Sequence, residues 1–410
     1  MPRAVHDVTT FGAWILLTAA AIGAALYTTK LVQRVSVPFA APFLLVAAIA
    51  SDLYPSLGVS TTTVVRLATV ALIVILFDGG LGIGWRRMRS SLVPVASLGV
   101  IGTFATAGGI ALIAHLALGF GWTAAGLLGA ALAPTDPAVM FSVLGDREVA
   151  GRTGTILEGE SGANDPVGIA LMIGMIELAL HPHATFWIVV REFAIQMSIG
   201  LAIGVAGGLL LAQAIRRVSF PSAGLYTLRG LAGAGIVYGL ATVAHGSGFL
   251  AVFVAGLLVG DVRAPFRDEI GIFQEALSSL AEIVVFGALG LTITISSVSA
   301  RTWGDGLLLA ALLALVVRPL VVAPLLAPAR LRNGERVFVI WSGLKGAVPI
   351  LLAAFVVERH IPAAARIYDL VFVVVLASVV VQGTTVPFAA RRLGIRMHRL
   401  APQSSATSQS

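Results

Sequence analysis

Residues Leu157 to Met172 read LEGESGANDPVGIALM and set three carboxylates, Glu158, Glu160 and Asp165, inside a long apolar run. An ionised acid at the centre of a bilayer costs about 2.5–3.5 kcal/mol on insertion scales and more in simulations, so such residues mark ion or proton pathways. Ser161 and Asp165 are four apart and share one helical face, while Glu160 and Asn164 share the neighbouring one. Pro166 cannot donate to the carbonyl of Gly162, four residues back. Asp165 is therefore expected beside a hydroxyl and a loosened backbone, an oxygen-rich setting for a hard monovalent cation. Glu160 and Asn164 lie where a base from another helix can meet them. The alternative is that these polar groups only pair with one another.

A second stretch, LAPTDPAVM, brackets Thr135 and Asp136 with Pro134 and Pro137. Two prolines three apart remove two backbone donors, so a continuous helix is not expected there. At membrane depth a break is tolerated only against protein or a water-filled cavity. Asp136 then falls near the N-terminal end of the second half-helix, where the dipole favours a carboxylate. Freed carbonyls and the Thr135 hydroxyl offer oxygens to a cation. A plain proline kink with Asp136 as its cap fits TDP as well. Other acids within apolar runs include Asp78 in LFDGG, Glu275 and Glu282. Two bases lie in such runs beside prolines or glycines, Arg318 in VVRPL and Lys345 in GLKGAVPI. Arg318 can pair with Glu160 or snorkel to an interface.

The elements that carry these residues follow from composition. The chain has 410 residues, of which 58% are hydrophobic and 11% charged, against about 25% charged in soluble domains. It is read as an all-α integral membrane protein. With no cysteine there is no disulfide framework and no thiolate metal site. The net charge of +7 does not signal nucleic acid, because the charges sit in short loops between apolar runs. Thirteen apolar segments are expected, at 12–29, 37–53, 63–80, 93–117, 122–144, 154–180, 186–212, 223–244, 247–260, 273–295, 305–328, 336–357 and 368–389. The first lacks a basic flank and a small-residue cleavage site, so it reads as a retained helix rather than a signal peptide. The links after odd-numbered segments and the C-terminal end hold eighteen Lys or Arg, the N-terminus and remaining links four. By the positive-inside rule the N-terminus is outside and the C-terminus cytoplasmic. Residues 1–398 form the transmembrane domain, and 399–410 a short polar tail expected to be disordered.

Segment 12 has Gly343, Gly346 and Pro349 around Lys345, a second expected break. Segments 4-5-6 and 11-12-13 thus each place an interrupted helix between two longer spans. The offset of seven segments is odd, so the two units have opposite orientation. That is the inverted-repeat design of secondary transporters, with crossed broken helices at the midplane. Lys345 is expected to compensate the negative C-terminal ends of the half-helices.

The ordered motifs LFDGG, APTDP, LEGESGAND, SGFLAVFVAGLLVG, VVRP and GLKGAVPI resemble the monovalent cation:proton antiporter superfamily, specifically its NhaP-type sodium/proton exchangers, over about residues 12–390. The resemblance implies a thirteen-helix homodimer whose core domain moves against a dimerisation domain. It makes Asp165 the ion- and proton-binding aspartate, preceded by Asn164. Thr135, Asp136 and Ser161 match positions lining the cation site. Glu160, Asn164 and Arg318 match a charge network beside it, and Asp78 an acid near the site. An Asn-Asp pair is associated in the family with electroneutral exchange. Lys345 stands where many sodium/proton exchangers have Arg, and the GAVPI context is similar to potassium/proton members. No C-terminal nucleotide-binding or regulatory domain is expected. No cofactor is expected beyond the transported Na⁺ or K⁺ and protons, and the partners are membrane lipid and a second copy of the chain.

The expected mechanism is competition at one carboxylate, since burial disfavours charged Asp165 and a bound cation favours it. If only occupied forms cross between inward- and outward-facing states, exchange is obligatory. A channel using the same acids is one rival. An intramembrane hydrolase built on His245 and Ser247 is another, but adjacent residues on a helix face different directions and Gly-Ser-Gly is ordinary packing. His181 and His183 read as solvated loop residues.

Overall fold

The computed structural model describes residues 38, 40–54, 59–144, 147–181, 183–262 and 265–399, with Gly12 and Gly23. The expected first segment, 12–29, lies outside the described residues. The other twelve segments all coincide with helices. In chain order these are α1 (Ala40–Leu53), α2 (Thr61–Ser90), α3 (Leu92–Leu118), the half-helices α4 (Trp122–Leu132) and α5 (Pro137–Ser142), and α6 (Gly151–Leu180). There follow α7 (Trp187–Arg217), α8 (Ala223–Val243), α9 (Gly248–Gly260), α10 (Arg267–Gly290), α11 (Ala300–Leu325), the half-helices α12 (Asn333–Trp341) and α13 (Ala347–Glu358), and α14 (Ala364–Arg392). Among the described residues, seven helices are long and apolar enough to cross a membrane by themselves. The chain is a multi-pass membrane protein.

Local sequence explains where the helices start. Ser60, Ser247 and Ser299 sit at N-caps, and each side chain accepts a hydrogen bond from the amide three residues on. Ser247 is thus a helix cap and not part of a Ser-His pair. The two shortest apolar elements are halves of interrupted spans, because Pro134 and Pro137 stop one and the Gly343–Gly346 stretch stops the other. The flanking helices α3, α11 and α14 each contain a π-helical turn, at Ser97–Gly102, Leu313–Val317 and Ser378–Gln382. Such turns often mark functional sites, and two of these lie against the buried bases described below.

Two groups of helices pack around the site. In one, α7, α9 and α2 meet through small residues. Gly200, Gly204 and Gly208 of α7 lie against the backbone of Ser247, Ala251 and Ala255, and Gly256 of α9 lies against Phe77 and Gly80 of α2. Backbones can approach this closely only where side chains are absent, the usual device where lipid supplies no hydrophobic drive. Helix α10 packs along α2 in the same group. In the other group, α4, α6, α13 and α14 are almost continuously buried around the two breaks. The outward faces of α3, α7 and α8 expose large apolar side chains such as Leu116, Leu210 and Val243, which suits lipid and not water.

The fold also holds one element that the sequence reading lacked. A short antiparallel ribbon pairs β1 (Arg147–Val149) with β2 (Met397–Arg399), and the amide of Ala150 donates to the carbonyl of Arg396. Arg399, assigned to the disordered tail, is a paired strand residue, while the tail beyond it lies outside the described residues.

Candidate functional site

The breaks in the two interrupted helices face each other. The amide of Asp136 donates to the carbonyl of Leu344 at 2.8 Å, so the extended stretches are hydrogen-bonded directly. Each first half-helix ends in carbonyls without a helical partner, and each end is met by a buried base. Lys345, 1% exposed, donates from Nζ to the carbonyls of Ala133 (2.9 Å) and Pro134 (2.8 Å) at the end of α4. Arg318 donates from Nε to Ile340 (2.8 Å) and from Nη2 to Val339 (3.1 Å) at the end of α12. A cation is favourable at a helix C-terminus and more so when buried. Lys345 therefore compensates the end of a half-helix, as the sequence reading expected.

Two glycines make this crossing possible. A Cβ on Gly343 would fall 1.8 Å from Arg318 Nε, and one on Gly346 would fall 1.8 Å from Asp136 Oδ2. Asp136 Oδ1 also accepts from the amide of Val139 in α5 at 3.4 Å. The acid is thereby set between the N-terminal ends of α5 and α13, where both dipoles favour its charge. The amide of Lys345 donates to Ser378 Oγ at 2.9 Å, in the π-helical turn of α14.

Helix α6 carries the other half of the site through one continuous helix, with Pro166 inside it. Glu160 and Arg318 form a bidentate pair at 2.9 and 3.3 Å, with both side chains 4% exposed. Arg318 is thus a buried partner and does not snorkel. Ser161 Oγ donates to the carbonyl of Thr135. Asn164 donates to Thr135 Oγ1 at 2.8 Å and accepts from the Thr135 amide at 3.3 Å. This differs from the expected grouping of Asn164 with Glu160 and Arg318. The Asn164 amide instead reaches the α4–α5 break, where it holds Thr135 in place.

A cavity of about 320 Å³ lies between the two helix groups, with Asp165 in its lining. Asp78, Asp136, Glu148, Glu158, Ser161, Asp165, Ser278 and Glu282 contribute its polar lining, and among the described residues no Lys or Arg does. Asp165 is 8% exposed, and its Oδ1 has no hydrogen-bond partner among the described residues. Asp136 and Lys345 are the charged groups acting on it. Thr135 and Asn164 do not line the cavity. The Thr135 hydroxyl and carbonyl, and the carbonyls of Ala133 and Pro134, already accept hydrogen bonds from Asn164, Ser161 and Lys345. The chain's own donors thus reach these freed oxygens, each of which keeps a second lone pair. Asp165, Asp136 and Ser161 remain at the cavity, with Asp78 across it.

Three cavity acids had no assigned role. Glu158 lies beside Glu148 and pairs with Arg87 at 3.6 Å, the arginine being about half exposed at 46%. Glu282 stands one helical turn from Ser278, and both line the cavity with Asp78. The four-residue spacing of Ser278 and Glu282 on one helical face was the available signal.

An all-helical membrane bundle with two interrupted helices crossing at buried charges, and an acid at the end of a cavity, defines a secondary-transporter architecture. The chain belongs to the transmembrane sodium/hydrogen exchanger family, whose profile matches residues 17–392. It is 33% identical over 391 residues to the K(+)/H(+) antiporter NhaP of Alkalimonas amylolytica, covering 93% of this chain and 68% of that protein. It is 27% identical to the low-affinity Na(+)/H(+) antiporter NhaS1 of Synechocystis over 78% of this chain and 63% of that protein. The fold superposes on the sodium proton antiporter MjNhaP1 of Methanocaldococcus jannaschii with a TM-score of 0.77 and 22% identity, covering 92% of this chain and 99% of that one. The resemblance read from the ordered motifs, to NhaP-type cation:proton antiporters, is borne out, and the family is one of transporters rather than enzymes.

Proposed function

We propose that this chain exchanges a monovalent cation for protons, with the two competing for Asp165. The observation that carries the reading is a buried carboxylate with an unpartnered oxygen, in a cavity lined by acids and, among the described residues, by no base. Burying that carboxylate charged and alone is costly, and either a proton or a cation removes the cost. The two occupants exclude each other by charge. Asp136 and Ser161 assist at the cavity, while Thr135 and Asn164 position the break. Glu160, Arg318 and Lys345 hold the crossing rigid.

The ion is Na⁺ or K⁺. The sequence reading placed Na⁺ first, whereas the relatives of higher identity are named for K⁺ and the more distant one for Na⁺. By the distribution of loop charges, the mouth of the cavity near the α5–α6 connection is cytoplasmic, and the C-terminus lies on that side. Exchange then requires the cavity to close there and open opposite, by movement of the α2–α9–α10 group against the group holding the breaks. Residues up to 398 act as one exchanger domain, working as a homodimer.

The test is cation-driven proton movement in proteoliposomes with a pH-sensitive dye, comparing Na⁺, K⁺, Li⁺ and choline with the membrane potential clamped. A response to Na⁺ or K⁺ but not choline is expected, lost in Asp165→Asn while the variant elutes as folded protein. Normal exchange by that variant would overturn the proposal.

A further inference from the structure

Each interrupted helix is met by the helix that follows it. Helix α6 reaches the α4–α5 break with Ser161 and Asn164, which bond to Thr135. Helix α14 reaches the α12–α13 break with Ser378 and Gln382, both buried. Ser378 Oγ accepts from the amide of Lys345 at 2.9 Å and donates to Gln382 Oε1 at 2.7 Å. Gln382 Nε2 donates to the carbonyl of Trp341 at 3.4 Å. The interruption is thereby held from both ends, since Trp341 closes α12 and Lys345 stands just before α13. The turn joining Ser378 and Gln382 is π-helical. Trp341 Nε1 donates to Thr385 Oγ1 at 3.0 Å, and that hydroxyl donates to the carbonyl of Gln382 at 2.7 Å, so the turn's own backbone is tied to the same tryptophan.

The two repeats differ at the next position. Asp165 follows Asn164 in α6, but Gly383 follows Gln382 in α14, and a Cβ there would fall 2.5 Å from Pro38 Cγ. The second repeat thus has no acid where the first has its unpartnered carboxylate. What it holds instead is Lys345. The charged groups acting on Lys345 are Arg318, Glu160 and Asp165, and those acting on Asp165 are Asp136 and Lys345. Ser378 and Gln382 are uncharged, and they fix the main chain from which the ammonium extends. We propose that Ser378 and Gln382 are positioning residues for ion exchange, holding the Lys345 ammonium at a fixed distance from Asp165. The inference rests on the exchange reading for its role in transport. A proton and a monovalent cation each neutralise Asp165, so a nearby positive charge opposes both alike. A held charge acts at full strength, and one that samples other positions acts less. Loosening Lys345 therefore tightens both occupants together and leaves their ratio unchanged.

The test measures exchange by wild type, Gln382→Leu and Ser378→Ala over a range of cation concentration and pH. In wild type the half-saturating cation concentration is expected to be flat at high pH and to rise about tenfold per unit on the acid side. In each variant the flat level is expected to fall about threefold and the onset of the rise to move up by about half a pH unit, with the acid limb unchanged. The double variant is expected to shift no further than the larger single one, because the two side chains act as a unit. Variants that lose stability or maximal rate but keep the wild-type level and onset would show that the pair only packs the crossing. That result overturns the inference and leaves the exchange reading intact.

Thermal stabilisation of the purified full chain by Na⁺ or K⁺ needs no transport and separates the two failures. At alkaline pH the cation concentration giving half of the stabilisation is expected to be about threefold lower in Gln382→Leu than in wild type. Concentrations that differ in this way in a chain that exchanges nothing would remove the exchange reading and keep the positioning role. Equal concentrations in wild type and both variants overturn the positioning role.

Discussion

Replacing Arg318 by alanine removes four hydrogen bonds at once, two to Glu160 and two to the carbonyls ending α12. Glu160 would remain as a carboxylate whose surroundings are 4% exposed, with its nearest base gone. Removing one partner of a buried pair costs about 3–5 kcal/mol, chiefly because the survivor is left uncompensated. At the roughly 2 °C per kcal/mol of larger domains, the expected loss is about 8 °C in apparent melting temperature. The assay is thermal unfolding in detergent, followed by tryptophan fluorescence or by loss of the monodisperse elution peak. A double variant, Arg318→Met with Glu160→Met, removes both charges and keeps volume. It should regain at least half of the loss, the remainder being the two carbonyls that lose their donor. Arg87→Ala is the contrasting case. Its pair with Glu158 is longer at 3.6 Å and its arginine is 46% exposed, so its expected cost is under about 1 kcal/mol. An Arg318→Ala protein melting within about 2 °C of wild type would refute the reasoning. So would a double variant less stable than the single one.

Gly346→Ala would place a methyl 1.8 Å from Asp136 Oδ2, so Asp136 or the crossing must shift. Loss of most exchange activity with folded protein still recovered is expected; wild-type rates would show that the Asp136–Gly346 approach is dispensable. The proposed competition at Asp165 also fixes a pH dependence. On the acid side, where Asp165 is mostly protonated, each unit of falling pH raises the half-saturating cation concentration about tenfold, and maximal rate is recovered by adding cation. A half-saturating concentration that stays constant over the acid range in which exchange at fixed cation falls off would remove direct competition.

How much of this was legible in the sequence depends on the range of the interaction. The breaks at Pro134–Pro137 and Gly343–Gly346 are local backbone chemistry, and both appear where the residues put them. The Glu160–Arg318 pair was recoverable because buried charges in apolar runs are few, so the choice of partners is short. The fate of Thr135 was not legible. Which neighbour its oxygens meet depends on how α6 packs against the α4–α5 break, where Asn164 and Ser161 reach it. Glu148 and the β1–β2 ribbon were missed for a related reason: three-residue strands carry no periodic signal, and their pairing joins positions 250 residues apart. Glu282 was noticed as an acid in an apolar run, but its place opposite Asp165 is a property of how α10 packs along α2.

Lys345 has a consequence for how such a protein survives its own cycle. Its ammonium is a cation tied to the chain, resting on the carbonyls of Ala133 and Pro134 where a diffusing ion would otherwise be drawn. A crossing held by freely exchanging ions would soften whenever they ran short. A tethered ion has no dissociation to undergo, so its occupancy is independent of salt, starvation or the direction of a gradient. The fold thus keeps tethered bases for its own cohesion, Lys345 at one half-helix end and Arg318 at the other, and the binding of the passenger ion is relieved of any duty to hold the architecture together.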